Sequence, residues 1–419
     1  MQLQPQINPK TVQATAEELL PEALRFLEEM VRINSFTANR EGVNRVGKLI
    51  AKRFEVLGFT AEFVPSINPA YGEHLVLRRP GQGAKTIGLV THLDTVFPPE
   101  EEQQNQFFWR PEGERIYGPG TMDIKGGTAM IFLVLSTLQR LCPGIFEAVN
   151  WKVLANSSEE VLSHDFGEVC LRHLGPNAMG ALIFECEGRA GNTAALVVAR
   201  KGRAVFRVRI IGRGAHAGGR HHHGANAIVQ MGETVQKIAT LTDYKRELTF
   251  NVGTVKGGSV TNRVPHEAVA EVEMRAFEKE VYDAGKNSIL ALNGPGTVRA
   301  AEDGLPCQIE VKVLHESSPW PENQGSQQLF AIFQEAGRSI GQIVVPQRRG
   351  GLSDGNLICQ AVPTLDGLGP WGENDHCSER SEDGTKDQEY VEVGTFVPKA
   401  VLNVMAIAEM WRRSASARD

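Results

Sequence analysis

Short apolar runs alternate with helix-length amphipathic stretches along the first half of this chain, and that alternation restricts the fold more than any other feature. Residues 14–33 and 41–58 carry apolar side chains at helical spacing. In the second, Val43, Val46, Ile50, Phe54 and Leu57 share one face, and Gly58 follows as a stop. Apolar runs lie at 86–90, 151–155 and 181–184, with a helix-like stretch at 125–141 between the first two. Strands alternating with helices imply an α/β domain with a mainly parallel sheet. In such sheets ligands bind beyond the C-terminal ends of the strands. Those ends carry the chemistry here: His92 and Asp94 after the first run, Glu159 and Glu160 after the second, Glu185 after the third.

The texture changes near residue 200. Ala204, Phe206, Val208 and Ile210 alternate with more polar neighbours, the mark of a half-buried strand. A helix is expected at about 225–240, strands at 248–256 and 267–276, a helix around 278–293 and a strand at 309–314. The order βαββαβ fits a ferredoxin-like α+β unit, a four-stranded antiparallel sheet with two helices on one face. Residues 200–315 therefore read as a domain inserted into a catalytic domain formed by 1–199 and 316–419, which a final helix at 391–413 closes. A chain of 419 residues is long enough for two cores.

Composition narrows the partners. Net charge is -6, without the basic stripe of a nucleic-acid binder. No uninterrupted apolar stretch reaches the length of about 18 residues that marks a membrane span, and the start, MQLQPQINPK, lacks the basic and apolar regions of a secretory signal. The six cysteines are scattered, with no CxxC pair, and read as thiols of a reducing compartment. The expected location is cytoplasmic, with neither nucleic acid nor membrane as partner.

Each strand-end residue has a plain reading as well as a chemical one. Positions i and i+2 of a strand point to one face, so Asp94 can accept the second ring N–H of a metal-bound His92; alone, the pair is a histidine beside an acid. Asp123 lies in the glycine-flanked loop GPGTMDIKGG just before a helix. A carboxylate shared by two cations needs such a crowded backbone, while the plain reading is a helix N-cap. Glu159 and Glu160 can divide labour, one on a metal and one as base on a water, or be a solvated acidic pair. Glu185 follows Phe184, and His376 ends the glycine-rich run 367–376. Together, two histidines and three acids match the donors expected for Zn, Co or Mn.

The ordered set THLDTV, GPGTMDIKGG, SSEE, FEC, GAHAG, GGSVTNRVP, GGLSDGN and GLGPWGENDH, spanning about residues 85–376, resembles the M20 metallopeptidase family. The resemblance implies a zinc-hydrolase catalytic domain with an inserted lid or dimerisation domain. It implies two divalent metal ions, zinc foremost, with cobalt or manganese as alternatives. His92 and Glu185 would bind one, Glu160 and His376 the other, and Asp123 would bridge them, its peptide bond to Ile124 being cis. Asp94 would orient His92, and Glu159 would be the general base; Glu187 falls one alternation outside the match. In the insert, His216 would stabilise the oxyanion, often across a subunit boundary, while Asn262 and Arg275 would hold a free carboxylate of the substrate. The strand pattern adds its own reason for Arg275. Ala270, Val272 and Met274 form the apolar face, leaving Arg275 on the other face with Glu271 and Glu273, and an arginine can bind a carboxylate bidentately.

The implied substrate is a small peptide or N-acyl amino acid, cut at the amide next to the free-carboxylate residue in the manner of a carboxypeptidase or dipeptidase. The alternative is an N-acyl-amino-acid deacylase of the deacetylase or desuccinylase kind. A non-catalytic binding protein on the same fold would lack a ligand or the base, and all six residues are present. A homodimer through the inserted domain is expected. Three departures from the family pattern stand out: Ser158 replaces an aspartate, His221-His222-His223 replaces a proline, and an extra polar stretch at 379–388 precedes Glu389-Tyr390-Val391. The histidine run reads as a solvated loop or as metal donors, and the polar stretch as an insertion near the pocket mouth.

Overall fold

The computed structural model describes residues 7–190 and 193–416. The chain divides into two compact units: Met1–Val198, Glu322–Arg348 and Ser353–Asp419 form the first, and Ala199–Pro321 with Arg349–Leu352 the second. The second thus reaches beyond residue 315 and takes in a short loop from much later in the sequence.

The first unit is built on a six-stranded sheet in the order 60–65, 73–79, 150–156, 86–92, 178–183, 364–365. The strands 150–156, 86–92, 178–183 and 364–365 run parallel; 73–79 pairs antiparallel with 150–156, and 60–65 pairs antiparallel with 73–79. The central strand, Thr86–His92, is buried along its whole length, as expected when a parallel sheet is covered on both faces. Its register sets where its neighbours end. His92 lies opposite Asn156, and Val90 opposite Ile183. Strands 86–92 and 150–156 therefore end level, strand 178–183 stops two residues earlier, and the residues just past the three ends share one rim.

Helices Pro9–Val31, Lys125–Leu141 and Phe396–Ser416 pack into the same core. Phe132 sits edge-on to Phe26 at 5.6 Å and to Phe54 at 5.7 Å. Among the described residues Val393–Ser414 is the one helical stretch long and apolar enough, by length and composition alone, to cross a membrane. Ala400, Leu402, Val404, Ala406 and Ile407 are fully buried in this unit's core, which accounts for the composition: a core helix is apolar all round.

In the second unit the sheet order is 249–257, 267–276, 202–211, 306–317, 294–299, all antiparallel. Inward-facing Phe206, Val208, Val272 and Met274 pack with Met231 and Ile238 of helix Ala227–Ala239 and Tyr282 and Ile289 of helix Lys279–Leu290. The sheet has five strands where four were expected. The extra one, Gly294–Arg299, opens Gly-Pro-Gly, a composition that reads as loop because glycine and proline weaken strands and belong at edges.

No disulfide forms among the described residues.

Helix Lys125–Leu141 meets the sheet closely because its first turn is Gly126-Gly127. A Cβ on Gly127 would stand 1.9 Å from the Phe184 carbonyl oxygen, while one on Gly232, in the second unit, would meet nothing within 4 Å. Gly127→Ala is expected to cost about 1–3 kcal/mol by overpacking, and Gly232→Ala to leave stability level or raised. Thermal unfolding of the two variants checks the contrast, and a Gly127→Ala melt no lower than that of Gly232→Ala would contradict it.

Candidate metal centre

The strand ends and two adjoining loops bring seven of the sequence-selected residues together in the first unit. His92, buried at the end of its strand, points Nε2 at Asp123 Oδ1, 2.9 Å away, with Glu185 Oε1 at 3.8 Å. His376 Nε2 lies 3.4 Å from the other Asp123 oxygen and 3.3 Å from Glu160 Oε2. Asp123 thus faces one histidine and one glutamate on each side. The Asp123–Ile124 peptide is cis, and His376 has φ +61° in the left-handed region, which non-glycine residues adopt only when their surroundings hold them there. Glu187, the competitor of Glu185, is taken out of the group by Lys399, whose Nζ lies 2.5 Å from its carboxylate.

Asp94 does more than sit behind His92. The imidazole Nδ1 lies 3.0 Å from the Asp94 carbonyl and 3.4 Å from its carboxylate. That carboxylate also accepts the backbone N–H groups of Glu159 (3.1 Å) and Glu160 (3.3 Å) and the Thr37 hydroxyl (2.7 Å). One buried acid therefore ties the first strand end to the turn that carries the second pair of acids.

Three supporting residues were given no role from the sequence. Glu389, fully buried, accepts the N–H groups of Met122 (2.9 Å) and Asp123 (3.2 Å) on one oxygen and so holds the Asp123 loop. Asp354 accepts Asn156 Nδ2 at 2.7 Å, and Asn156 Oδ1 in turn accepts Ser158 N–H and the Ser163 hydroxyl. His74, with no exposed surface, receives the Ser157 N–H on Nδ1 at 3.1 Å, so its hydrogen sits on Nε2, 3.1 Å from Asp165. Glu389 and Asp354 lie in segments that share in the family resemblance, EYV and GGLSDGN. Nothing in the local pattern around His74 marks it, since its partners are 83 and 91 residues away.

The electrostatics are those of crowded acid. Burial, reinforced by the charge of Asp123, raises Glu160 to about 7. Burial pushes Glu159 well above the usual carboxylate range, with Asp354, Glu185 and Glu160 adding to it and His92 opposing. Burial likewise raises Asp354 to about 7 and Glu389 to about 8. Asp123 moves the other way: burial would raise it, but hydrogen bonds from His376 and His92 hold it low. The same contacts with Asp123 and Glu160 lift His376 to about 11. Acids packed this densely are costly unless positive charge joins them. The donors are carboxylate oxygens and imidazole nitrogens, the set that suits Zn, Co or Mn, and ligand atoms of His92, Asp123 and Glu160 lie within 4.8 Å of one another. The residues fit a divalent-metal centre.

The remaining three sequence-selected residues belong to the second unit. His216 and Asn262 are neighbours there, Ala217 N–H donating to the Asn262 carbonyl at 3.0 Å, and both side chains are exposed. Arg275 lies on the polar face of its strand but is not open: its Nε donates to Glu273 at 2.6 Å and Nη1 to the Gly350 carbonyl at 2.7 Å. The same-face acid expected only as a neighbour is its partner. In the first unit, the extra stretch 379–388 is anchored by Arg380, which forms a two-pronged pair with Glu112 at 3.0 and 3.1 Å.

Residues 198–292 match the M20 peptidase dimerisation domain. The chain is 28% identical to carboxypeptidase G2 of Pseudomonas sp. (strain RS-16), over 85% of this chain and 83% of that protein. It is 25% identical to the acetylornithine deacetylase of Vibrio campbellii, over 84% and 90%. The fold matches the crystal structure of aminopeptidase PepT from Bacillus cereus with a TM-score of 0.75 at 22% identity, covering 94% of this chain and 99% of that one.

The His74 contacts yield a test. An asparagine keeps an acceptor near the Nδ1 position for Ser157 N–H, whereas a glutamine keeps only a donor near the Nε2 position for Asp165. His74→Asn is expected to retain most hydrolytic turnover. His74→Gln should lose up to about 100-fold in kcat by displacing the Glu159 turn, with KM little changed. Equal losses in the two variants would show that His74 only fills space.

Proposed function

We propose that this chain, a metal-dependent hydrolase of the M20 peptidase family, cleaves the amide bond that joins an acyl or aminoacyl group to an amino acid with a free carboxylate, using two divalent ions, preferably zinc. The observation that carries the reading is Asp123, whose two oxygens each face a different histidine, with Glu185 near one and Glu160 near the other. His92, Glu185 and Asp123 would hold one ion, and His376, Glu160 and Asp123 the second. When bound, the ions polarise the scissile carbonyl and acidify a water.

The chain's own residues supply the rest. Glu159 is the general base: its backbone is fixed by Asp94, and its half-buried carboxyl binds a proton far more readily than a surface glutamate does. It takes a proton from the attacking water and passes it to the departing amine. Asp94 fixes the His92 ring through Nδ1. His216 is assigned to the oxyanion, and Asn262 and Arg275 to the substrate's carboxylate, on their match to family positions. The similarity to carboxypeptidase G2 favours a carboxypeptidase, and that to acetylornithine deacetylase favours a deacylase; the two differ only in the group on the acyl side.

A homodimer through the inserted unit completes the reading. Thr249–Gly257 is an edge strand, and Ile228, Val229, Val255 and Val260 on this unit are 44–58% exposed. Exposed apolar side chains beside an open sheet edge favour association, and this region lies inside the match to the dimerisation domain.

Two measurements test the chemistry on a panel of dipeptides and N-acyl amino acids. Glu159→Gln is expected to lower kcat by about 10²–10⁴-fold with metal content unchanged; full activity in that variant would remove Glu159 as base. Arg275→Ala should lower kcat/KM about 10- to 100-fold on substrates with a free carboxylate and far less on their amidated analogues. Equal losses on both would take Arg275 out of recognition.

A further inference from the structure

We infer that His222, His223 and Glu302 form a further transition-metal site, built wholly from the inserted unit and independent of the di-metal hydrolase function. The three ligand atoms lie within 4.8 Å of one another. His223 Nδ1 is already paired with the Glu302 carboxylate, and the His222 and His223 rings stand 4.3 Å apart between centroids. His222 and Glu302 are exposed and His223 half-buried, so a metal reaches them from solvent and water can complete its shell.

The site is assembled by backbone contacts that need no metal. His221–His223 is a single tight helical turn. Glu302 N–H donates to the His222 carbonyl at 3.0 Å, which locks the two donor segments together across 80 residues of sequence. Arg213 fastens both: its Nε donates to the His223 carbonyl, and its two terminal nitrogens donate to Asp303 at 2.7 and 2.9 Å. Arg213 also pairs through its backbone with Ala225, just beyond the histidine turn. Asp303 neutralises the arginine and leaves Glu302 to the imidazoles. Without that division the guanidinium would compete with a cation for the glutamate.

Two imidazoles and one carboxylate suit Zn, Ni or Cu rather than Mg or Ca, whose shells are oxygen. Three protein ligands with open positions make a site that exchanges with solvent rather than a closed structural one.

The test uses the full, untagged chain, stripped with chelator, titrated with Zn²⁺, desalted and assayed for zinc per chain. The His222→Ala/His223→Ala variant is expected to lose one equivalent relative to the wild type while keeping the wild-type rate on whichever panel substrate is turned over. Asp123→Asn should retain that equivalent. Glu302→Gln, a near-isosteric change, should lose it as the double variant does, with melting of the metal-free proteins unchanged. The proposal is overturned if the wild type and the double variant bind equal zinc. It is equally overturned if the extra equivalent disappears in Asp123→Asn and persists in the double variant.

Discussion

The register of three parallel strands is the constraint on which the rest of the first unit depends. Backbone hydrogen bonding sets His92 opposite Asn156 and Val90 opposite Ile183, and no side chain at the rim can alter that without breaking the ladder. The chemistry then depends on the residues just beyond. Glu159 and Glu160 rise beside Asp94, Glu185 rises beside His92, and Asp123 enters from the loop ahead of helix Lys125–Leu141. The result is a density of buried acid that the protein alone neutralises only in part, through His92 and His376. A cation is the natural partner of such a group because it replaces proton sharing with several short contacts at once.

Around the donors lies a set of contacts whose work is positional. Asp94 spends its carboxylate on two backbone amides and a hydroxyl. Glu389 holds the amides of Met122 and Asp123, and Asn156 and His74 hold the two serines ahead of Glu159. Apart from the Asp94 contact to the His92 ring, these groups act mainly on main chain, so the acids keep their oxygens for a ligand while their Cα positions are fixed. Ser158, where the family pattern has an acid, belongs to the same layer: its N–H is used, while its hydroxyl is buried with no hydrogen-bond partner. Removing one more carboxylate from this rim lessens the like-charge crowding without subtracting a donor.

The inserted unit is organised differently. Its core is made by strict alternation, so its outward faces are available for polar work, and its Arg–Glu pairs are the product. Arg203, Arg207, Arg209 and Arg275 all meet glutamates on the neighbouring or same strand. Arg275 is held in place by Glu273 and by the Gly350 carbonyl.

Much of this was legible in the sequence because local pattern carried it. Helix Lys125–Leu141, the alternation at 202–211 and the buried face Ala270, Val272 and Met274 depend only on spacing, and spacing survives in one dimension. The candidate donors were legible as a set because their order and their glycine-rich surroundings are unusual, although each alone read as an ordinary cap or surface acid. Strand Gly294–Arg299 was hidden by its Gly-Pro-Gly opening. What only the tertiary structure decided is partnership. His74 meets Ser157, Glu389 meets Asp123, Glu273 occupies Arg275 and Glu302 joins the histidine turn across separations that no periodicity encodes. The sequence determined which groups can ligate, titrate or pair; the packing of strands and loops determined which of them are close enough to do so, because those energies fall off over a few ångströms and chain distance carries no information about them.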